Sequence, residues 1–362
     1  FFKPQRDGMW KGNIKKFGIA QPFGVITDCP NSYSLGVGEV LDSTCISALD
    51  DNGQFYQTAK SYWVSANNDN DGGEVENGGV GEVLWDRNLS SDPRKIYTYL
   101  RSNVSLTHAS NEFNTTNITP SALGLGLDSD PAAQTERDKL INYVYGYDAY
   151  GSIPDQKRDW ILGSFLHSRP FIIPYGSSTV IYAGANDGML HAFDASDGRE
   201  LWAFIPPNLL NKLQALHLDV NEIFVDGSPK AYIENDSDGN VTKAILIFGQ
   251  RRGGDRYIAL DVSTPTSPVF LWEIGPSAIT QGTVKTDTLD YNELGQTWST
   301  PKIGFINDGG NKKAVMFVGG GYDAGQDNDS PPADTKGRAV YIVDVFTGDR
   351  VARFSNQEFP ST

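Results

Sequence analysis

The sequence predicts an all-β protein, a β-propeller built from four-stranded antiparallel blades, with a few short helices in insertions. Three observations predict it. One residue pattern recurs three times in the second half of the chain. Within each copy, short β-branched or aromatic runs alternate with Gly, Asn, Asp and Ser turns, as hairpin-connected strands require. The copies step along the chain by 59 and 72 residues between Pro170, Pro229 and Pro301. Repeated four-stranded units of this size build propellers more readily than a sandwich.

Taken from the N-terminus, residues 1–160 read as irregular blades with long insertions. Apolar and β-branched runs at 11–19, 57–64, 81–85 and 95–100 are strand candidates, and 65–79 is a loop insertion. A helix near 131–145 is well signalled: Asp130 can cap it, Pro131 suits its first position, and Leu140, Ile141 and Val144 form its apolar stripe. A shorter helix covers 208–216. Residues 161–362 hold at least three blades, at about 165–205, 224–275 and 297–355, and the whole chain reads as one propeller domain.

The blades open on His167-Ser168-Arg169-Pro170, Asp226-Gly227-Ser228-Pro229 and Trp298-Ser299-Thr300-Pro301. Their second runs end at Gly184, Gly249 and Gly319, and their third at Asp194, Asp261 and Asp344. In Asp194-Ala195-Ser196-Asp197-Gly198 and Asp344-Val345-Phe346-Thr347-Gly348 the Asp closes a strand and the Gly permits a positive φ in the turn. Trp202 and Phe354 then enter the outer strand, where they are expected to pack between blades. Three blades, with at most two more from the N-terminal part, fall short of a closed ring without further chain or a partner.

The chain has 362 residues and a formal net charge of −15. That acidity argues against a general nucleic-acid binder, since phosphates need Lys and Arg to neutralise them. No run of 18 apolar residues spans a bilayer. The chain begins Phe1-Phe2-Lys3-Pro4 with no leader pattern and no initiator Met, so it reads as a mature product or an excised segment. Cys29 and Cys45, sixteen apart in a turn-rich stretch, are either a disulfide stapling a loop of an exported protein or two unrelated thiols.

Candidate chemistry is sparse. Asn67, Asp69 and Asp71, followed by Gly72, match the opening of an EF-hand-like calcium loop, with Glu74 or Glu76 to complete it because position twelve is Gly78. The alternative is a solvated acidic loop. Asp236 to Asn240 is a weaker match, and Asp323, Asp327, Asp329 and Asp334 cluster in a long polar excursion. No G-x-S-x-G, H-E-x-x-H or P-loop occurs, and Gly249 to Gly254 leads into a strand, which is no dinucleotide fingerprint. His167 and His191 read as satisfied structural histidines, and no organic cofactor is expected. The blade pattern also resembles pyrroloquinoline-quinone enzymes, but their adjacent Cys pair is missing.

The run Val180-Ile181-Tyr182-Ala183-Gly184-Ala185-Asn186-Asp187-Gly188-Met189-Leu190-His191-Ala192-Phe193 is very similar to the signature of the PilC/PilY family, the type IV pilus tip-associated biogenesis factors and adhesins. Residues 10–16, 162–170, 224–229, 253–262 and 319–322 resemble the same family in the same order, and the likeness is strong from about 158 to 354. The resemblance implies a non-enzymatic propeller module at the cell surface, the pilus tip or the outer membrane, exported through the periplasm. It implies minor pilins or a tip complex as partners, roles in pilus extension and retraction, and attachment to host or abiotic surfaces. An open blade edge would take the protein's own C-terminal continuation or another chain. The family's calcium loop lies in a later blade, and the sequence stops at Thr362 before any such stretch, so no residue inherits it. The missing von Willebrand A-like domain likewise reads as a segment of a longer protein. The alternative is a glycan- or host-surface-binding adhesin without an assembly role; a quinone-dependent dehydrogenase is the remaining reading.

Overall fold

The computed structural model describes residues 2–3, 10–20, 36–64, 71–101, 103–218, 220–276 and 291–355. At the N-terminus β1 (Phe2–Lys3) pairs with β2 (Lys11–Gly12), and β3 (Gly18–Ile19) pairs with β4 (Val40–Leu41). The expected strand over 11–19 is therefore regular only at its ends. Between them the buried Asn13 takes over: its side-chain amide donates to Val75 O and Gly78 O, both at 2.8 Å, and its Oδ1 accepts from Gly81 N–H at 2.9 Å. A side chain replaces the sheet ladder here as the partner of backbone groups.

Two strand expectations are corrected. Residues 57–64 form no strand: Tyr62 N–H donates to Lys16 O and Ser61 N–H to the Asp71 carboxylate, so neither joins a ladder. Residues 81–85 lie in a helix, α1 (Gly79–Asp86). Gly78 and Gly79 take φ 60° and 63°, and Glu82 reaches back to accept from Gly78 N–H at 2.6 Å. Val80 and Leu84, one helical turn apart, are buried together.

β5 (Ile96–Thr98) follows, then α2 (Pro131–Tyr145). Asp130 accepts from Ala132 N–H as its cap, Pro131 stands in its first turn, and Gly146 ends it at φ 117°. Its buried stripe is Ala133, Leu140, Ile141 and Val144. Residues 208–216, expected as a short helix, lie in a 3₁₀ run (Pro207–Leu216) with Leu209, Leu210, Leu213 and Leu216 buried.

The repeats fold as three antiparallel sheets. The first holds β6 (Phe171–Pro174), β7 (Thr179–Gly184), β8 (Leu190–Asp194) and β9 (Glu200–Ile205), with β5 added in parallel outside β9. The second holds β10 (Lys230–Asn235), β11 (Val241–Gly249), β12 (Tyr257–Asp261) and β13 (Val269–Ile274). The third holds β14 (Lys302–Asp308), β15 (Asn311–Gly319), β16 (Ala339–Asp344) and β17 (Arg350–Ser355). Each is a meander of four consecutive strands. Each slips register at the same place on its third strand, after Ala192, Ala259 and Ile342, a bulge that adds twist.

The common register makes corresponding faces comparable. In the first sheet Tyr182, Leu190, Trp202 and Phe204 share a core with Leu246, Phe248, Ile258 and Phe270 of the second. In the second, Ile247, Tyr257, Trp272 and Ile274 share a core with Met316, Val318, Tyr341 and Val343 of the third. Trp202 Nε1 donates to Pro265 O at 2.7 Å and Trp272 Nε1 to Val345 O at 2.8 Å, so each indole is buried with its polar atom satisfied across the junction. The corresponding face of the third sheet carries Phe317, Ile342, Val340 and Phe354. Val340 is 47% and Phe354 40% exposed, whereas Trp202 is buried. Among the described residues the sheets do not close into a ring.

Candidate functional site

The run from Gly184 to Phe193 uses its polar side chains internally. Asn186 accepts from Phe224 N–H and donates to Ser164, joining the starts of the first two blades. Gly184 allows no Cβ, which would lie 2.3 Å from Val225 O. Asp187 Oδ2 accepts from Gly163 N–H at 2.9 Å, and its Oδ1 lies 3.0 Å from His191 Nε2. The other ring nitrogen, Nδ1, lies 2.8 Å from Glu200 Oε1. Arg94 closes the set with a two-pronged pair to Glu200, Nε to Oε2 at 2.8 Å and Nη2 to Oε1 at 2.7 Å, and donates to Val144 O at the end of α2.

All four side chains are buried, so their charges are coupled. Burial alone would lower the His191 pKa, but Asp187 and Glu200 outweigh it and raise it to about 9. Burial would raise the Glu200 pKa, but Arg94 and His191 hold it far below the usual carboxylate range. The buried set is two cations against two anions, Arg94 and His191 with Glu200 and Asp187. The sequence gives Arg94 and Glu200 no visible relation across 106 positions. The available signal was His191 within an otherwise apolar strand, where a polar ring demands partners.

This fixes a pH dependence. His191 has a folded pKa near 9 against 6.5 unfolded, so its contribution is fully present below pH 6.5 and is lost as pH rises through about 9. The expected loss across that window is on the order of 3 kcal/mol. Denaturant titrations at several pH values check it: His191→Gln should flatten the wild-type decline, and an unchanged slope would reject the assignment.

The second constellation is solvent-facing. His167, Asp226 and Trp298 each stand three residues before a blade-opening proline. The fold brings them together where the blades begin. His167 Nδ1 lies 2.6 Å from Asp226 Oδ2, and its backbone N–H donates to Oδ1 at 3.0 Å. Arg251 Nε lies 3.3 Å from the same carboxylate, and its guanidinium sits 4.5 Å from the Trp298 ring centroid. Arg251 holds φ 51°, a left-handed backbone uncommon outside glycine and a kind of strain that marks functional positions. A cleft of about 550 Å³ opens here, lined among others by His167, Lys212, Glu222, Trp298 and Asp327. His167 was expected to be structural; its side chain is 49% exposed and borders this cleft.

Of the calcium set, Asn67 and Asp69 lie outside the described residues. Asp71 is buried, accepts from Ser61 N–H at 2.6 Å and faces the buried Lys15 at 3.4 Å. Burial lowers the Lys15 pKa despite that carboxylate. Glu76 pairs with Lys11. Asp236 accepts from Asp238 and Asn240 N–H groups and shapes a hairpin tip. Asp323 accepts from Gly325, Thr335 and Lys336, whereas Asp327 pairs with Tyr322 and Arg252. Among the described residues no three His, Cys, Asp or Glu side chains are grouped to hold a metal. Cys29 also lies outside the described residues, and Cys45 sits at φ 68° beside Ala20 and Leu41.

The family model described as the PilY1 beta-propeller domain matches residues 174–353. The chain belongs to the PilC/PilY family. The match takes in all three repeat sheets but for their edges, together with the Arg251 turn and Trp298. A PilC/PilY relative named type IV pilus biogenesis factor PilY1, from Pseudomonas aeruginosa PAO1, is 32% identical over 46% of this chain and 13% of its own length. The protein of that name from P. aeruginosa UCBPP-PA14 is 28% identical over 72% of this chain and 23% of its own. The crystal structure of the P. aeruginosa PilY1 C-terminal domain aligns at 30% identity with a TM-score of 0.34, over 49% of this chain and 30% of that one. The chain thus spans less than a quarter of these two curated PilC/PilY relatives. No helix among the described residues is long and apolar enough to cross a membrane.

Proposed function

We propose that the chain is a non-enzymatic propeller-type module of a type IV pilus biogenesis factor. In this reading it acts at the pilus tip on the cell surface, works with minor pilins, and supports attachment through the loops of its blades. The match of the PilY1 propeller model to residues 174–353 carries the reading. The third sheet supports the partner claim. Its face corresponds to the one with which the first and second sheets each cover the next sheet, yet it leaves Val340 exposed. Apolar faces of this kind seek a partner. A further unit of the same blade pattern, from this protein's continuation or from another chain, satisfies it.

The test is complementation of a deletion strain with the full-length protein, reading surface pili by electron microscopy, gold label on the protein, and attachment to a surface. Restored pili with label at their tips and restored attachment are expected. Pili and attachment unchanged by the deletion would overturn the reading.

A further inference from the structure

We propose that the cleft at the mouth of the three sheets binds a neutral saccharide. This deepens the attachment part of the reading above, on which it rests, by naming a ligand class and a site.

The cleft carries a fixed aromatic platform. Trp298 keeps 39% of its surface exposed while Arg251 stacks on the ring and its Nε1 donates to Gln296 at 3.0 Å. An indole already held in place loses little conformational freedom when a ligand lies on it. An aromatic face suits the C–H face of a pyranose ring, which is apolar on one side and hydroxylated at its rim.

Around that platform, donors and acceptors stand side by side. Lys212 lies 2.9 Å from Glu222, and Arg252 lies 3.4 Å from Asp327. Each pair offers a vicinal diol one acceptor and one donor. The third pair, Arg251 with Asp226, is the one His167 also bonds. Lys212 and Arg252 thus face Glu222, Asp226 and Asp327 in the cleft, and Arg251 beside Asp226 brings the cations to three. A site for phosphate or nucleic acid would carry an excess of positive charge; this one is balanced, which favours an uncharged polar ligand. Its volume of about 550 Å³ falls within the roughly 300–1,000 Å³ of small-molecule sites.

The experiment presents the full-length protein with an array of neutral oligosaccharides ending in glucose, galactose, mannose or N-acetylated hexosamines, alongside sialylated and sulfated ones. The strongest neutral binder is then titrated by calorimetry. Trp298→Ala is expected to raise its Kd at least tenfold, and Asp327→Asn, on an exposed loop, is expected to raise it as well. Trp85→Ala removes an exposed indole on α1, outside the cleft, and is expected to leave the Kd unchanged. Should Trp298→Ala fail to fold, Asp327→Asn carries the test. Absence of neutral binding, binding confined to sialylated or sulfated glycans, or a Kd that neither cleft variant moves would overturn the site. The same variants are scored for pili and attachment. Normal pili with no saccharide binding overturn this inference alone, whereas saccharide binding by cells that fail to attach overturns the attachment reading alone.

Discussion

Replacing Arg94 with alanine is expected to lower the unfolding free energy by about 3–5 kcal/mol, the usual loss when one partner of a buried ion pair is removed. The guanidinium is buried and makes both prongs of its contact with Glu200 while holding Val144 O at the end of α2. Its loss leaves Glu200 buried with His191 as its charged partner and frees α2 from β9. Arg94→Lys keeps the charge but not the planar fork, so an intermediate loss is expected. Denaturant titration separates the outcomes: the midpoint should fall at constant slope. A loss within about 1 kcal/mol, the range of exposed pairs, would show that the set does not hold the N-terminal layer to the first blade.

Replacing Trp272 with alanine is expected to cost a further class of stability, about 3–5 kcal/mol, through the cavity left between the second and third sheets and the orphaned Val345 carbonyl. The indole lies over Gly348, where a Cβ would stand 2.8 Å from its Cγ and where φ is 71°. Gly348→Ala should therefore destabilise by about 1–3 kcal/mol through overpacking and backbone strain. In the Trp272→Ala background the same change should cost less, because the clash is gone and only the strain remains. A double-mutant cycle reads this directly, and additive costs would contradict the packing described.

The blades were legible because their signals are local and recurrent: turn chemistry at Asp194 to Gly198 and Asp344 to Gly348, and apolar runs of strand length. The helix at 131–145 was legible for the same reason, with cap, proline and stripe in one stretch. The misreadings share one cause. The run 81–85 looks like a strand, but the paired left-handed glycines 78 and 79 and the return of Glu82 to Gly78 start a helix. Trp63 sits in an irregular stretch, yet it covers Gly198 as Trp272 covers Gly348, with a Cβ there 3.0 Å from its ring. No period around Trp63 announces that role. The charge set and the His167–Asp226–Arg251–Trp298 chain are assembled from distant segments, so their parts appear singly along the chain. The repeat did mark three of the four: the residue three before each opening proline is the one that reaches the cleft.

The central claim is that these blades serve pilus assembly through the open face of the third sheet. The direct measurement is the count of surface pili on a deletion strain carrying the full-length protein with Val340→Asp, matched to wild type for protein level. Pili are expected to fall well below the wild-type complement, since the new carboxylate would be buried without a partner when the face is covered. Wild-type pilus numbers from the variant would contradict it.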